Sequence, residues 1–511
     1  VPPIAREQQV QRCIVTSKQM RQIEERVFAA GMPVAALMEK VAGQVAQRIE
    51  ALYPDRRRVG VLVGPGHNGG DALVVARELF HQNYKVILYS PFSKRKDLTE
   101  QHYRYCTSLG IPVQSEVTAL GECDLLIDGV FGFGLERSLT DPIAAAINQI
   151  NQWSIPTVSI DLPSGLHTDT GEVLGRAIRA THTLCLGLWK QGLLQDHALE
   201  YVGKAELVDF DLPLTDIHAV LGETPQIQRI ITEDAIAHLP LHRPATTYKY
   251  KMGHLLLICG SRRYAGGAIL SALGARASGV GMLSIAVPTS LKPLLTAQLP
   301  EALVVDCPET EAGVIHHLPD RIDLKDYHAV ACGPGLTPEA TVVVQQVVES
   351  DRPLVLDADG LNIVAEWGAI PTLKKRQAAT VLTPHAGEFR RLFPNLAENL
   401  MCRVAATQAA AAQTGAVVLL KGARTVIADA GGATRINPES TPALARGGSG
   451  DVLTGLLGGL LAQLIDQTPP LNITQSAAWW HAHAGLLAAA ERTELGVDAH
   501  TLTEYLIPVL C

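Results

Sequence analysis

The residues best suited to chemistry stand together late in the chain, as Arg446-Gly447-Gly448-Ser449-Gly450-Asp451. The apolar run that starts at Val452 predicts a buried helix, so the glycines form a loop whose free N–H groups lie at a helix N-terminus, where a phosphate binds. A carboxylate beside that anion site repels the phosphate unless it handles a proton or a metal, which makes Asp451 a candidate general base. An isolated Gly-Asp pair more often only complements the helix dipole, worth ~0.3–1 kcal/mol. Glycines, a serine and an aspartate packed before an apolar helix favour phosphate chemistry instead. No Gly-Lys-Ser/Thr ending follows, so this is not a Walker loop.

A second set of polar residues lies in the first half. Arg58–Val63 reads as a buried strand that opens into Gly64-Pro65-Gly66-His67-Asn68-Gly69-Gly70-Asp71 and a helix from Ala72 to Phe80. Further strands at Lys85–Tyr89, Asp124–Ile127 and Thr157–Ile160 alternate with helical stretches, the pattern of a doubly wound parallel sheet whose ligands bind at the carboxyl ends of its strands. Those ends carry Asn68, Asp71, Asp128, Asp161 and Ser164. Each alone could be a turn or cap residue; converging on one sheet edge, they describe a site. Gly64-x-Gly66-x-x-Gly69 also matches the dinucleotide fingerprint, with Lys94, Arg95 and Lys96 placed to read a 2′-phosphate, so an NADP-dependent Rossmann oxidoreductase is the competing reading. Ahead of this sheet, Thr16 caps a helix with Met20, Ile23 and Val27 on one face, and a second helix runs from about Pro33 to Ile49.

The chain has 511 residues, 47% hydrophobic and 18% charged, enough for two or three core-rich domains. A net charge of −8 argues against nucleic acid as a partner. Nine cysteines without a Cys-x-x-Cys pair give neither a disulfide framework nor a zinc site, and no run of about 18 apolar residues occurs, so a cytoplasmic protein with no membrane partner is expected.

Asn68-Gly69-Gly70-Asp71, Asp128-Gly129-Val130-Phe131-Gly132-Phe133-Gly134-Leu135 and Ser159-Ile160-Asp161-Leu162-Pro163-Ser164-Gly165 together resemble the NAD(P)HX epimerase domain. Ala72 stands where that family usually continues with glycine. The resemblance implies that Asn68, Asp128 and Ser164 hold potassium and that Asp161 acts on the substrate. It also implies that the nucleotide is held by His67, Asn68, Gly69, Gly70 and Asp71 together with Gly132, Phe133, Gly134, Leu135, Glu136, Arg137 and Ser138. Lys190 is a weaker candidate.

An irregular join at about 215–228 separates this half from a second strand series. His254–Cys259 opens into Gly260–Ala268, a phosphate or sugar loop or else a place where helices pack closely. Further strands end at Gly333-Pro334-Gly335, at Asp357-Ala358-Asp359, at Thr383-Pro384-His385 and at Lys421-Gly422-Ala423-Arg424-Thr425. Singly, each is ordinary turn chemistry, and His385 alone reads as a core histidine. As an ordered set they resemble the ADP-dependent NAD(P)H-hydrate dehydratase domain of the ribokinase-like superfamily, although Thr441–Arg446 departs from the family pattern before the glycine loop.

The resemblance implies substrate contacts at Ala268, Gly335, His385 and Asp451, nucleotide contacts at Lys421, Gly422, Ala423, Arg424, Thr425 and Gly450, and magnesium with ADP as co-substrate. The expectation is therefore an α/β chain of two domains, residues 1–218 Rossmann-like and doubly wound, residues 228–511 ribokinase-like. Its order matches fused repair of hydrated NADH and NADPH, NADHX and NADPHX, and a homo-oligomer is expected. A small-molecule kinase and a non-catalytic nucleotide-binding protein remain as alternatives.

Overall fold

The computed structural model describes residues 5–398 and 400–511. They divide into two units, one up to Pro225 and one from Gln226 onward. In the first, seven parallel strands lie in the spatial order Val113–Gln114, Lys85–Tyr89, Arg58–Val63, Leu125–Gly129, Thr157–Ile160, His182–Leu186 and Lys204–Val208. The chain starts in the middle, winds outward one way, then returns and winds the other way. That leaves a crevice between Arg58–Val63 and Leu125–Gly129, where neighbouring connections leave the sheet on opposite sides. The central strands are apolar throughout because helices cover both faces: Val59, Val61, Leu62, Val63, Leu125, Leu126 and Ile127 are fully buried.

The N-terminal segment has a specific task. Ile14–Val15 pairs in parallel with Trp189–Lys190, and the chain then turns into the helix Ser17–Ala29, opened by a Thr16–Gln19 capping box. This pairing fixes Lys190 and lays the helix, with Met20, Ile23 and Val27 buried, beside the strand ends. The stretch read as an irregular join contains the helix Leu214–Leu221, capped by Gly222 at a φ of 79°.

The second unit is built on a ten-stranded sheet ordered Ile227–Arg229, Thr434–Ile436, Val426–Ala428, Val417–Leu420, Thr380–Leu382, Leu354–Leu356, Ala329–Cys332, His254–Ile258, Met282–Pro288 and Leu303–Cys307. Only Val426–Ala428 runs antiparallel to its neighbours. Two buried clusters, one on each face, make the core. The helix Ser449–Leu464 is apolar all round and accordingly buried along most of its length. It packs on the helix Ala265–Ala277 with backbones nearly touching: a methyl group at Gly455 would fall on the Ser271 carbonyl, and one at Gly274 on the Val452 carbonyl. Gly274 thus serves close packing, whereas Gly266 and Gly267 stay open at the helix start, and the same packing brings the N-termini of both helices to one point. No helix among the described residues is long and apolar enough to cross a membrane.

Candidate functional site

Each unit carries a cavity at its switch point. The first, of about 500 Å³, is lined by His67, Asn68 and Asp71, by Gly132 to Leu135, by Asp161 and Lys190, and by Met20, Glu24 and Phe28 of the N-terminal helix. His67 to Asp71 are not a loop, as the glycines suggested, but the first turn of the helix His67–His81, capped at Gly66. Gly69 has no room for a side chain because its Cα lies against the Gly64 backbone, and Gly70 lies against Met38; these two shape the helix rather than the cavity wall. Glu136, Arg137 and Ser138 are exposed and stand outside that wall.

Asp161 is the focus of this site. It holds a φ of 69°, a left-handed conformation that a non-glycine residue adopts at some cost. Its Oδ1 lies 2.5 Å from the Lys190 ammonium, both side chains being almost fully buried. The Phe133 N–H donates to its Oδ2 at 2.9 Å, so the carboxylate also fixes the Gly132–Leu135 loop. Burial alone would lower the Lys190 ammonium, but the charges of Asp161, Cys185 and Glu24 more than offset it and hold its pKa raised. The residue that was a weak candidate from sequence is therefore the partner of the strongest one. Burial pushes the Asp71 carboxyl well up, and the charges of Asp161 and Glu24 push it further. Of the basic run after the second strand, only Lys96 lines the cavity. Arg95 is committed to Glu100 at 3.0 Å and lies 3.7 Å from the centre of the Tyr103 ring, which removes it as a reader of a 2′-phosphate.

Asp128 is wholly buried, and four donors satisfy it: the Ser164 hydroxyl at 2.5 Å, the Ser164 N–H at 2.8 Å, the Ser159 hydroxyl at 2.8 Å and the Val130 N–H at 3.3 Å. All four are neutral. Burial raises its pKa against the pull of these hydrogen bonds. Nearby, the Asn68 side-chain nitrogen is buried with no hydrogen-bond partner.

The second cavity, of about 440 Å³, is lined by Arg263, Tyr264, Gly266, Gly267, Leu270, Gly335, Asp359, Gly447, Gly448 and Asp451. The helix begins at Ser449, earlier than the apolar run indicated, so Gly450 and Asp451 belong to its first turn; Gly448 precedes it at a φ of 92° and supplies no side-chain cap. An added Cβ at Gly267 would lie 3.4 Å from the Asp451 carboxylate and 3.5 Å from the Gly335 nitrogen. The two helix N-termini, Gly335 and the carboxylate therefore share one space. Ala268, one residue further, is fully buried behind it.

On the other side of Gly450 stands Lys421, whose ammonium would lie 3.3 Å from a Cβ there. Lys421 pairs with Asp357 at 2.7 Å and approaches Glu388 at 3.9 Å, while Thr454 donates to the second Asp357 oxygen at 2.6 Å. Gly422 to Thr425 form the turn between two antiparallel strands, and Gly422 and Ala423 are exposed. His385 is not a core histidine. Its side chain is 54% exposed, and its Nδ1 accepts from the Gly387 and Glu388 amides, capping the helix Ala386–Leu392. The acids outnumber the lysine, and the consequence falls on Asp451: burial first, then Asp357, with Asp359 and Glu388, raise its pKa to about 7 against the pull of Lys421.

Sequence reasoning missed Glu24 and Thr454, and had Glu388 only as the end of the strand-end stretch Thr383-Pro384-His385-Ala386-Gly387-Glu388. Glu24 follows Met20 by four positions on the buried face of an amphipathic helix, and an acid on that face was the available signal. Glu388 completes a capping box with His385, a spacing visible in sequence.

Comparison with known proteins agrees with this division. Residues 255–508 match the family described as NAD(P)H-hydrate dehydratase, and residues 34–192 the one described as YjeF-related protein N-terminus. The bifunctional NAD(P)H-hydrate repair enzyme Nnr of Synechocystis sp. is 54% identical over 97% of this chain and 94% of its own length. That of Thermosynechococcus vestitus is 52% identical over 97% of both. A crystal structure of the ADP/ATP-dependent NAD(P)H-hydrate dehydratase from Bacillus subtilis, co-crystallized with ATP/Mg2+, is 32% identical, covering 55% of this chain and 97% of its own, with a TM-score of 0.46. With such identity across both units, the chain belongs to the family of bifunctional NAD(P)H-hydrate repair enzymes.

Proposed function

We propose that the two cavities divide the family's work, the first interconverting the epimers of hydrated NADH or NADPH and the second dehydrating one of them at the expense of ADP. The observation that carries this is Asp451, a carboxyl with a pKa of about 7 set between two helix N-termini. Hydroxide is a poor leaving group, and a phosphoryl group on the C6 hydroxyl makes a good one. Asp451 takes the hydroxyl proton as that oxygen attacks the β-phosphorus of ADP and AMP departs. The first-turn amides stabilise the transferred charge. Loss of phosphate from C6 and of a proton from C5 then restores the nicotinamide double bond.

Among the described residues no three His, Cys, Asp or Glu side chains converge on a metal. The surplus of carboxylates over Lys421 nevertheless suits a magnesium ion that arrives on the nucleotide phosphates. The test is stoichiometry. With hydrated NADPH and ADP, AMP and phosphate should appear one for one with recovered nicotinamide absorbance. A stable phosphorylated dinucleotide would mean a kinase, and no turnover would mean a binding protein.

Beside the first cavity, which Asn68 lines, Asn68, Asp128 and Ser164 suit potassium: an all-oxygen set with one charge, a buried carboxylate with only neutral partners, and an Asn68 amide whose half-turn replaces an orphaned nitrogen by oxygen. Bound there, the ion would offset the Asp128 charge beside an anionic dinucleotide. Added potassium is therefore expected to raise the melting temperature of the protein, and Ser164→Ala to abolish that rise. Equal midpoints in potassium and in tetramethylammonium would refute the assignment.

A further inference from the structure

We infer that Glu24 is the second proton-transfer group of the epimerase, acting on the substrate from the helical wall of the cavity while Asp161 acts from the strand ends. The inference rests on the epimerase reading of the first cavity. Epimerisation at C6 breaks a carbon–oxygen bond on one face of the ring and makes one on the other, so it needs a proton donor and a proton acceptor. Asp161 alone is poorly suited to both. Its Oδ1 is tied to Lys190 and its Oδ2 to the Phe133 amide, so the carboxylate is held in one place and does not reach both faces of the ring.

Glu24 has the complementary character. It lines the same cavity from the helix Ser17–Ala29, is largely enclosed, and holds no hydrogen bond among the described residues. The titratable and charged groups around it are Arg21 and Glu25 on its own helix, His67 and Asp71 from the helix His67–His81, Lys96 from the loop after the second strand, and Asp161 and Lys190 from the strand ends. Burial is the largest influence and raises its pKa to about 7; Asp161 adds to this, and Lys190, Arg21 and Lys96 oppose it. Asp71 is pushed well up by burial and then by the charges of Asp161 and Glu24. A carboxylate anchored at the strand ends and an unanchored acid on the helical wall that titrates near neutrality give the cavity two separate proton-transfer groups.

Protonated Glu24 gives its proton to the C6 hydroxyl as the C6–O bond breaks. The ring-nitrogen lone pair forms the carbon–nitrogen double bond, and water leaves. On the opposite face Asp161 takes a proton from the incoming water as the new C6–O bond forms, and the electron pair returns to nitrogen. One water departs, one adds, and one proton has moved from Glu24 to Asp161. The reverse reaction starts from that state.

The test uses the full-length protein, the R epimer and ADP, with recovered nicotinamide absorbance as readout. Glu24→Gln should lower kcat for the R epimer by about 10²–10⁴, with KM within about threefold and dehydration of the S epimer unchanged. Wild type should lose epimerisation as pH rises through about 7 in the direction that needs protonated Glu24. Glu24→Ala should be inactive until formate restores part of the rate, a rescue that a purely structural role would not give. Glu24→Gln with kcat within threefold of wild type would overturn the inference, as would a Glu24→Ala variant that binds dinucleotide normally yet ignores formate. Wild type that leaves the R epimer unconsumed would overturn the epimerase reading itself, and this inference with it.

Discussion

Asp451→Asn is expected to lower the dehydration rate by about 10²–10⁴, the usual worth of a positioned base, and at the same time to stabilise the protein at alkaline pH. Both effects follow from one number. The Asp451 carboxyl has an ordinary pKa of 3.8 and reaches about 7 in the fold, because burial and then Asp357, Asp359 and Glu388 disfavour its charge. A carboxyl whose folded pKa is raised contributes stability that is fully present below 3.8 and is lost as pH rises through about 7. Above that pH the folded protein carries a charge it resists, at a cost on the order of 4 kcal/mol. Asparagine removes that cost while keeping the size of the side chain. The melting temperature of Asp451→Asn should therefore exceed that of wild type at pH 8, with the gap narrowing as pH falls through about 7 and closing below 3.8. Nucleotide affinity should persist or rise, since a negative charge near the phosphates is gone. Wild-type dehydration should climb with pH to a plateau above about 7, where the base is ionised. A stability loss at pH 8 with turnover intact would mean that Asp451 serves only its helix dipole.

The second large effect concerns the buried pair of Asp161 and Lys190. Lys190→Met leaves the Asp161 charge buried without its counter-charge, which costs about 3–5 kcal/mol. In a unit of this size that lowers the melting temperature by roughly 10 °C. Asp161→Asn strands the ammonium in turn, although asparagine tolerates the positive φ. Combining Asp161→Asn with Lys190→Met removes both charges and should recover most of the stability, since two uncharged groups of similar volume replace the pair. Epimerisation should stay abolished in all three proteins. A double variant that regains both stability and epimerisation would show that the pair is only a strut.

The strands were legible because buried parallel strands read as unbroken apolar runs, as in Val59–Val63 and Leu354–Leu356. The first turns of the two functional helices were not. Asn68-Gly69-Gly70 and Gly448-Ser449-Gly450 read as loops on intrinsic propensity, whereas the fold uses Gly69 to approach the Gly64 backbone and starts the later helix at Ser449. Asp451 and Asp161 could be found in sequence because each follows a strand or glycine loop. Their electrostatic partners could not. Lys190 reaches Asp161 through the pairing of Trp189–Lys190 with Ile14–Val15, a register that no local pattern encodes. Lys421, expected as a nucleotide contact, is tied to Asp357 across the sheet, and that acid together with Asp359 and Glu388 outweighs it at Asp451.

The central claim is that two independent sites act in series on one substrate, and an epimer mixture tests it most directly. Given the mixture and excess ADP, the wild-type protein should recover all of the nicotinamide absorbance, whereas Asp161→Asn should stop at the share of the S epimer. Adding Asp451→Asn, whose own dehydration is negligible on this timescale, should carry the stalled reaction to completion, because the epimers diffuse between molecules. Wild type that halts at the S share, or a mixture of the two variants that fails to complete, would contradict the account.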